Sequence, residues 1–506
     1  MRVRQSAGVR VVGVGVVALV AAAAATFGVP PSQAAAPAPA PALTVVSDQA
    51  LTERLREVVV ESPAMEGQVN LRVLLPVGYD PAADVDHPVL FLLHGCCDDY
   101  RSWADKTPLE EITAPHDVIV VMPDAGAWGF YTDAYNNGEL GPPRWESHHV
   151  GELVGWVSEY YDACDQRHCR IVVGLSMGGF GAMSYAARHP DLFVAAAAFS
   201  GAVDNTLLAP AGPVALAFLE AGMGQSTPGT VWGDPATQEV RWRGHNPVDL
   251  VANLDDLEVE LRTGNGQPGG EFGGDPDPLE AGVHQMMTSL DGALSSRGHD
   301  HVWDDYGPGA HSWPYWERDL RLTLPTFMDV ISQGRADPAP FSIRRIEGSY
   351  AAYGWSVAFD RDVLEFSELA DVTAAGFSLT GSGRAVVTTD ALYTPEADHR
   401  IVVDGRDSVV AATADGRLSI PVDLGPAHEF QQYTPQADAM ELAAAGSYFS
   451  TVDVTIAPAT MPPPAEDGQD PSAAPLPVTG GGLVATALAG LGVVLAVRSR
   501  VPRRSG

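Results

Sequence analysis

One serine lies in a strand–turn–helix sequence that is typical of a nucleophilic serine. Residues 171–173 are β-branched and lead into Gly174-Leu-Ser176-Met-Gly178, and an apolar pattern of helical spacing follows. A Gly-x-Ser-x-Gly turn between a strand and a helix strains the backbone of its serine, and the two glycines remove side chains that would clash. The pattern predicts that Ser176 is a nucleophile standing above a sheet. An incidental serine in a glycine-rich turn is the alternative.

A serine hydroxyl needs a base to take its proton and an acid to orient that base, and in this topology both follow the serine along the chain. His311 follows a short strand pattern and a Gly-Pro-Gly-Ala loop, and it opens a helix. We therefore predict that His311 is the base. His284 lies on a helical pattern, whereas His299 and His301 would project from the wrong side of the strand.

The acid is not fixed by spacing. Four carboxylates follow the strand pattern that ends at Gly264, and a fifth follows an earlier strand. They are Glu271, Asp275, Asp277, Glu280 and, after the earlier strand, Asp204. A solvated carboxylate is the default interpretation of each in so acidic a chain.

Two backbone N–H groups are needed to hold the negative charge that develops on an ester oxygen. Met177, directly after the nucleophile, is expected to supply one, and Cys96, in the loop after residues 89–93, the other. Gly95 lets this loop turn close to the site. His94 is a tentative substrate contact, although a histidine at a strand end more often holds the loop.

Alternating elements must carry these residues. Residues 58–60 and 69–75 have the pattern of an opening antiparallel pair. Strand patterns at residues 89–93, 118–122, 171–173, 194–200, 259–264 and 301–306 then alternate with helical patterns at residues 148–161, 279–296 and 313–331. The alternation predicts an α/β fold over residues 45–335, in which a mostly parallel sheet forms the middle of three layers.

The sequence changes character after residue 335. Short alternating segments, separated by Gly and Asp turns, predict a small all-β sandwich over residues 336–458. A spacer or a stability module is its expected role. Trp355 and Tyr353 are candidates for carbohydrate binding, but aromatic residues in strands usually belong to the core.

The beginning of the chain has the pattern of an export signal. Arginines at positions 2, 4 and 10 precede an apolar run, and small residues then offer a cleavage site. We predict a signal peptide at residues 1–36. The Ala/Pro-rich residues 37–44 are expected to form an extended tether.

The net charge of the chain argues against nucleic acid as a partner. The 506 residues include 64 acidic and 30 basic ones, a formal net charge of −34, and this field repels nucleic acid.

In an oxidising compartment Cys164 and Cys169 could close a small loop. Adjacent Cys96 and Cys97 have a strained geometry for a bridge. No spacing predicts a zinc site, and no cofactor is expected.

Three motifs, in order, carry a family resemblance: LLHG at residues 92–95, GLSMGG at 174–179 and GAHSWPYW at 309–316. They resemble the secreted esterase-D and mycolyltransferase branch of the α/β-hydrolases over about residues 60–330. Mycolyltransferases carry the acid in a Leu-Glu pair that begins the helix before the histidine. The resemblance therefore implies Glu280 as the acid and, from the matching tryptophan after the histidine, Trp313 as a tentative substrate contact.

One departure concerns the acceptor. The mycolyltransferases have an Asp-Gly-Leu-Arg stretch whose Asp and Arg bind trehalose, whereas this chain has His94-Gly-Cys-Cys97 there. The resemblance thus implies a serine carboxylic-ester hydrolase with a Ser-His-Glu triad, acting on a small-molecule, lipid or glycolipid ester. An acyltransferase that uses a sugar hydroxyl is one alternative, a non-catalytic surface adhesin is another, and peptidase activity is disfavoured only by the resemblance.

The end of the chain resembles a sortase cell-wall sorting signal. A Pro/Ala/Asp-rich linker at residues 459–475 leads to LPVTG, an apolar span and an arginine-rich tail, which together fill residues 476–506. The resemblance implies cleavage between Thr479 and Gly480, sortase and peptidoglycan as partners, and anchoring on a Gram-positive, actinobacterial surface. A plain membrane anchor is the alternative.

Overall fold

The computed structural model describes residues 43–83, 85–208, 229–444 and 448–459. The predicted signal peptide, most of the tether, nearly all of the linker and the sorting signal with Thr479 and Gly480 lie outside the described residues. Within the described ranges, none of the helices has the length and apolarity that crossing a membrane requires.

Nine strands form the main sheet, in the order β1-β2-β3-β5-β4-β6-β7-β8-β9. They are β1 (Thr44–Ala50), β2 (Leu55–Ser62), β3 (Gly67–Leu74), β4 (Val89–Leu93), β5 (Ile119–Pro123), β6 (Arg170–Leu175), β7 (Ala195–Phe199), β8 (Glu258–Thr263) and β9 (Val302–Asp305). The β1–β2, β2–β3 and β3–β5 pairs are antiparallel, and the other pairs are parallel. The predicted opening pair is β2 and β3. The sequence patterns do not predict the edge strand β1, because its residues are largely exposed and give no apolar strand pattern.

Both faces of this sheet are covered. In β4, Val89, Phe91 and Leu93 enter one hydrophobic core, and the alternate residues Leu90 and Leu92 enter another. The helices are α1 (Ser102–Lys106), α2 (Leu109–Thr113), α3 (Val154–Tyr160), α4 (Met177–Arg188), α5 (Pro235–His245), α6 (Pro278–Arg297) and α7 (Trp313–Ser332). Helices α3 to α6 contribute to the first core, and α1, α2 and α7 to the second. These three layers are the predicted α/β-hydrolase fold, which is confirmed.

The helix predicted over residues 148–161 is not uniform. Residues Ser147–Leu153 form a π-helix, and α3 continues from it. Such π-turns are often found near functional sites. This one buries His148 and His149, and His149 Nε2 lies 2.9 Å from the Asp124 carbonyl oxygen just beyond β5.

Two antiparallel sheets make up the later part of the described chain. The strands are β10 (Phe341–Arg345), β11 (Ser349–Ala352), β12 (Trp355–Asp360), β13 (Ser367–Thr373), β14 (Gly376–Gly381), β15 (Arg384–Thr388), β16 (Asp398–Val403), β17 (Arg406–Ala411), β18 (Ser419–Asp423) and β19 (Ser450–Pro458), with helix α8 (Pro435–Ala443). Their orders are β10-β13-β14-β19-β16-β17 and β11-β12-β15-β18. Leu379 and Val454 of one sheet share a core with Trp355 and Val357 of the other, which makes a β-sandwich.

The β-sandwich packs directly on the α/β part. The described residues up to Ala459 belong to one compact unit, and Ile346 and Phe366 lie in the first core of the α/β part. The Tyr353 hydroxyl donates to the Pro190 carbonyl oxygen at 2.9 Å, and Trp355 is only 3% exposed. Trp355 is therefore a core residue and not a carbohydrate platform, whereas Tyr353 is partly buried where the two parts meet. The sandwich and the α/β part therefore share buried apolar surface.

Candidate active site

Ser176 lies in the sharp turn between β6 and α4. Its backbone has φ 53° and ψ −118°, a left-handed conformation that costs free energy in a residue with a side chain. A Cβ on Gly174 would lie 2.1 Å from the Gly178 carbonyl oxygen, and a Cβ on Gly178 would lie 2.5 Å from the Leu93 carbonyl oxygen. Only glycine fits at both positions. This packing fixes the serine over the end of the sheet.

His311 joins the predicted nucleophile to the predicted acid. Its Nε2 lies 2.8 Å from Ser176 Oγ, and its Nδ1 lies 2.8 Å from Glu280 Oε2. Because a carboxylate only accepts, the Nδ1–H of a neutral His311 donates to Glu280 and Nε2 is left to accept from the serine hydroxyl. The structure thus brings together Ser176 and His311, which the sequence patterns predict, and Glu280, which the family resemblance implies.

The buried Glu280 carboxylate is held from its other side. Its Oε1 accepts from the Gly264 N–H at 2.7 Å, from Ser200 Oγ at 2.8 Å and from Thr263 Oγ1 at 3.1 Å. These donors lie at the ends of the neighbouring strands β7 and β8. They leave Oε2 directed at His311 and fix the orientation of the carboxylate.

Asp277 has a role that spacing did not assign. It caps α6, since its Oδ1 accepts from the N–H groups of Leu279 and Glu280, while its Oδ2 accepts from the His311 N–H at 2.8 Å. Burial favours its neutral form, but these three N–H bonds outweigh burial and lower the pKa of Asp277. One carboxylate therefore holds the backbones of both acid and base. The signal was present in the sequence, because Asp277-Pro-Leu-Glu280 has the form of a capped helix start.

The other candidates for the acid and the base are exposed or have other partners. Glu271 and Asp275 are exposed, and Glu271 pairs with Arg318 at 3.5 Å. Asp204 Oδ2 accepts from Ser289 Oγ at 2.6 Å. The competing histidines have other partners: His284 contacts Asp305, His299 contacts the Leu254 carbonyl oxygen, and His301 contacts Asp291.

The loop after β4 lies beside the nucleophile. A Cβ on Gly95 would lie 3.3 Å from Ser176 Cβ and 2.6 Å from Leu175 Cδ1. The Cys97 N–H donates to the Ala127 carbonyl oxygen at 3.0 Å, which leaves Cys96 as the candidate oxyanion donor of this loop. Met177 begins α4, and its N–H has no acceptor within the helix. The start of the helix also favours negative charge.

His94 is not placed as the substrate contact that the sequence analysis names. It is only 1% exposed, and its Nε2 accepts from the Ala125 N–H at 3.0 Å. Its proton is therefore on Nδ1, which donates to the Gly95 carbonyl oxygen at 2.7 Å. Because both ring nitrogens are used by the backbone, His94 holds the loop and does not offer a polar contact to substrate.

Trp313 is partly buried beside the triad. Its ring packs edge-on against Trp103 at 5.2 Å and against Trp316 at 5.3 Å, and Trp316 packs edge-on against His311 at 5.0 Å. Lys106 lies 5.0 Å from the Trp313 ring centre and pairs with Asp98 of the loop after β4. Trp313 therefore reaches His311 through one intervening ring, that of Trp316.

Cys164 and Cys169 form a disulfide, whereas Cys96 and Cys97 are free thiols. Among the residues that the structure describes, Cys164, His168 and Cys169 form one group with the spacing of metal ligands. Their two sulfurs are bonded to each other and offer no thiolate to a metal.

The Esterase family model matches residues 62–327, which is more than half of the chain. The chain belongs to the Esterase family. Its predicted class, a serine ester hydrolase or acyltransferase on an α/β-hydrolase fold, is thereby confirmed.

Two relatives are mycobacterial. The diacylglycerol acyltransferase/mycolyltransferase Ag85A of Mycobacterium bovis is 30% identical over 301 residues, which are 56% of this chain and 83% of that protein. Esterase Rv1288 of Mycobacterium tuberculosis is 31% identical over 210 residues, which are 40% of this chain and 44% of that protein. This chain thus spans less than half the length of Rv1288. The solved structure of Mycobacterium tuberculosis MPT51 (FbpC1) aligns with a TM-score of 0.43 and 24% identity, over 54% of this chain and 97% of that one.

Proposed function

We propose that this protein is a cell-surface serine carboxylic-ester hydrolase that works through an acyl-enzyme. The observation that carries the proposal is the position of His311, whose two ring nitrogens lie 2.8 Å from Ser176 Oγ and from Glu280 Oε2. That geometry suits a base for the serine and an acid for the leaving group.

The first half of the reaction forms the acyl-enzyme. His311 Nε2 takes the proton of Ser176 as Oγ attacks the ester carbonyl carbon. The N–H groups of Cys96 and Met177 hold the oxyanion of the tetrahedral intermediate. When the intermediate collapses, the bond to the alcohol oxygen breaks, and the alcohol leaves with the proton from His311. Glu280 orients the imidazole and stabilises its cation.

The second half releases the acid. Water takes the place of the alcohol, His311 removes its proton, and collapse of the second intermediate frees the carboxylic acid and restores Ser176. A sugar hydroxyl in place of water would give an acyltransferase. The 30% identity to Ag85A, named as an acyltransferase, favours this second candidate. The His94-Gly-Cys-Cys97 sequence stands where the mycolyltransferases have their trehalose-binding Asp and Arg, and this difference favours hydrolysis.

Product analysis separates hydrolysis from transfer. The purified chain is given p-nitrophenyl esters of increasing chain length, with and without glucose or trehalose. We expect free carboxylic acid as the product and a rate of p-nitrophenol release that does not depend on the sugar. Acylated sugar as the main product would replace the esterase proposal with the acyltransferase.

We also propose that the protein is exported and anchored to the cell wall. This proposal is supported by the sequence patterns at residues 1–36 and 476–506. A chain truncated before Leu476 should be released into the medium, whereas the full chain should stay in the wall fraction. Equal distribution of the two chains would contradict anchoring through the sorting signal.

A further inference from the structure

The loop that carries a candidate oxyanion donor also carries two adjacent thiols. Cys96 and Cys97 are free, and their sulfurs lie 3.6 Å apart. Successive side chains of an extended chain point to opposite sides. Here the turn at Cys97, with φ 64°, brings the two side chains together. Cys97 is exposed and Cys96 is partly buried.

We propose that Cys96 and Cys97 are a reversible modification site, at which a small disulfide compound closes a vicinal disulfide and switches off the oxyanion hole. This inference rests on the proposed function, because the bridge affects turnover only if the Cys96 N–H holds the oxyanion. The thiols themselves take no part in ester hydrolysis.

The exchange proceeds in two steps. The exposed Cys97 thiolate attacks one sulfur of the small disulfide and expels the first small thiol. Cys96 then loses its proton and attacks the Cys97 sulfur, which expels the second. Two protein S–H bonds are replaced by one S–S bond, and the small disulfide takes up two electrons and two protons. Cys97 reacts first because burial, with a further contribution from Cys97, raises the pKa of the Cys96 thiol to about 12.

Closure must move the backbone of the loop. Neighbouring Cα atoms stand about 3.8 Å apart across a trans peptide, whereas disulfides usually join Cα atoms about 4.4–6.8 Å apart. Rotation of the two side chains, whose sulfurs are 3.6 Å apart, is therefore not sufficient to close an unstrained bridge. The loop has little freedom on either side, since Gly95 packs against Leu175 and Ser176, and the Cys97 N–H is bonded to Ala127. The peptide group between the cysteines must therefore absorb the change and carry the Cys96 N–H with it. Strained vicinal disulfides are readily reduced, which makes the site reversible.

The test uses the full chain, oxidised with hydroxyethyl disulfide and then freed of small molecules. We expect p-nitrophenyl acetate hydrolysis to fall about 100-fold, the typical cost of losing one oxyanion donor. We also expect the peptide that contains both cysteines to resist iodoacetamide and to be lighter by two hydrogens. Dithiothreitol should restore both properties. Cys97→Ser, which keeps the Cys96 amide, should hydrolyse the ester normally and should be insensitive to the oxidant.

Three results would overturn the inference: both thiols still react with iodoacetamide after oxidation, a stable mixed disulfide remains on Cys97, or the bridge forms and turnover is unchanged. No Ser176-dependent turnover in the reduced chain would instead overturn the proposed function, and the claimed rate effect with it. Since alkylation needs no ester substrate, it still decides whether the bridge forms.

Discussion

The α/β part and the β-sandwich each place a serine, a histidine and a glutamate in contact, but the connections differ. In the α/β part His311 is in the middle, between Ser176 and Glu280. In the sandwich the glutamate is in the middle. Ser382 Oγ donates to Glu365 Oε1 at 2.6 Å, and the other carboxylate oxygen contacts His428 Nδ1.

This difference in connection decides what each cluster can do. His428 Nε2 lies 2.7 Å from the Tyr448 carbonyl oxygen, and its Nδ1 faces a carboxylate. Both of its nitrogens therefore face acceptors, and neither can take a proton from Ser382. Glu365 also pairs at 2.8 Å with Arg361, whose side chain is fully buried. The sandwich cluster is a structural network, and the comparison shows that connectivity, not residue type, makes a triad.

Among changes that leave the nucleophile in place, the largest effect is expected for Glu280→Gln. The three donors at Oε1 will hold the amide oxygen there. The amide NH₂ then faces His311 and forces the proton onto Nε2, the wrong tautomer for a base. A comparable change in a serine protease costs about 10⁴-fold in kcat. We expect a loss of that order in ester hydrolysis, with little change in KM.

The matched control is Glu365→Gln in the sandwich. It should lower the melting temperature, because it disturbs a buried ion pair, and it should leave kcat of the folded protein unchanged. A similar loss of kcat in both variants would erase the distinction between the clusters.

Sequence reasoning found Ser176 and His311 because each has a local signature, a glycine-bracketed turn and a loop after a strand. It did not choose among the carboxylates of residues 271–280 without the family resemblance. Asp277 and Glu280 lie three positions apart at the start of one helix, and both contact His311, one at the backbone and one at the ring. Spacing alone does not distinguish these contacts. The sandwich cluster was invisible because long-range strand pairing brings Glu365, Ser382 and His428 together.

The predictable strands are those whose burial leaves an apolar pattern in the sequence. Strands β4, β5 and β7 are apolar on both faces and appear as continuous runs in the sequence. Strands β10, β11 and β13 have no such run, because they are short or mix polar and apolar residues. The packing of Ile346 and Phe366 into the α/β core has no local signature.

A smaller effect is expected at Asp277, which holds backbones and no reacting atom. Asp277→Ala removes the helix cap, worth about 1 kcal/mol of stability, and frees the His311 backbone. Small displacements of a catalytic group can cost up to 100-fold in rate, and we expect kcat to fall about tenfold to 100-fold. The exposed Asp275→Ala is the control and should match the wild-type chain in kcat and in urea midpoint. Equal kinetics in the two variants would contradict a positioning role for Asp277.

The smallest effect on turnover is expected at a structural histidine. Burial, and then the charge of Arg188, lower the pKa of His245 to about 4 from an ordinary value of 6.5. Between these values the unfolded chain binds a proton that the native chain does not. Stability should therefore fall as the pH drops from 6.5 to 4. His245→Asn should remove up to about 3 kcal/mol of that pH dependence and leave turnover at neutral pH unchanged.

Urea unfolding of both chains at pH 6.5 and pH 4.5 measures this difference. An identical pH dependence in His245→Asn and in the wild-type chain would show that His245 does not take up the proton. Loss of turnover at neutral pH would show that His245, like His311, is needed for catalysis, and would contradict its structural role.

The central claim is that Ser176, and not a serine in a cluster of similar composition, is the nucleophile. The most direct measurement compares Ser176→Ala with Ser382→Ala, using p-nitrophenyl ester hydrolysis and labelling by a fluorophosphonate probe. We expect Ser382→Ala to keep both activities, and Ser176→Ala to lose labelling and, on the order of 10⁵-fold or more, turnover. Labelling or near-normal hydrolysis in a folded Ser176→Ala chain would contradict the account.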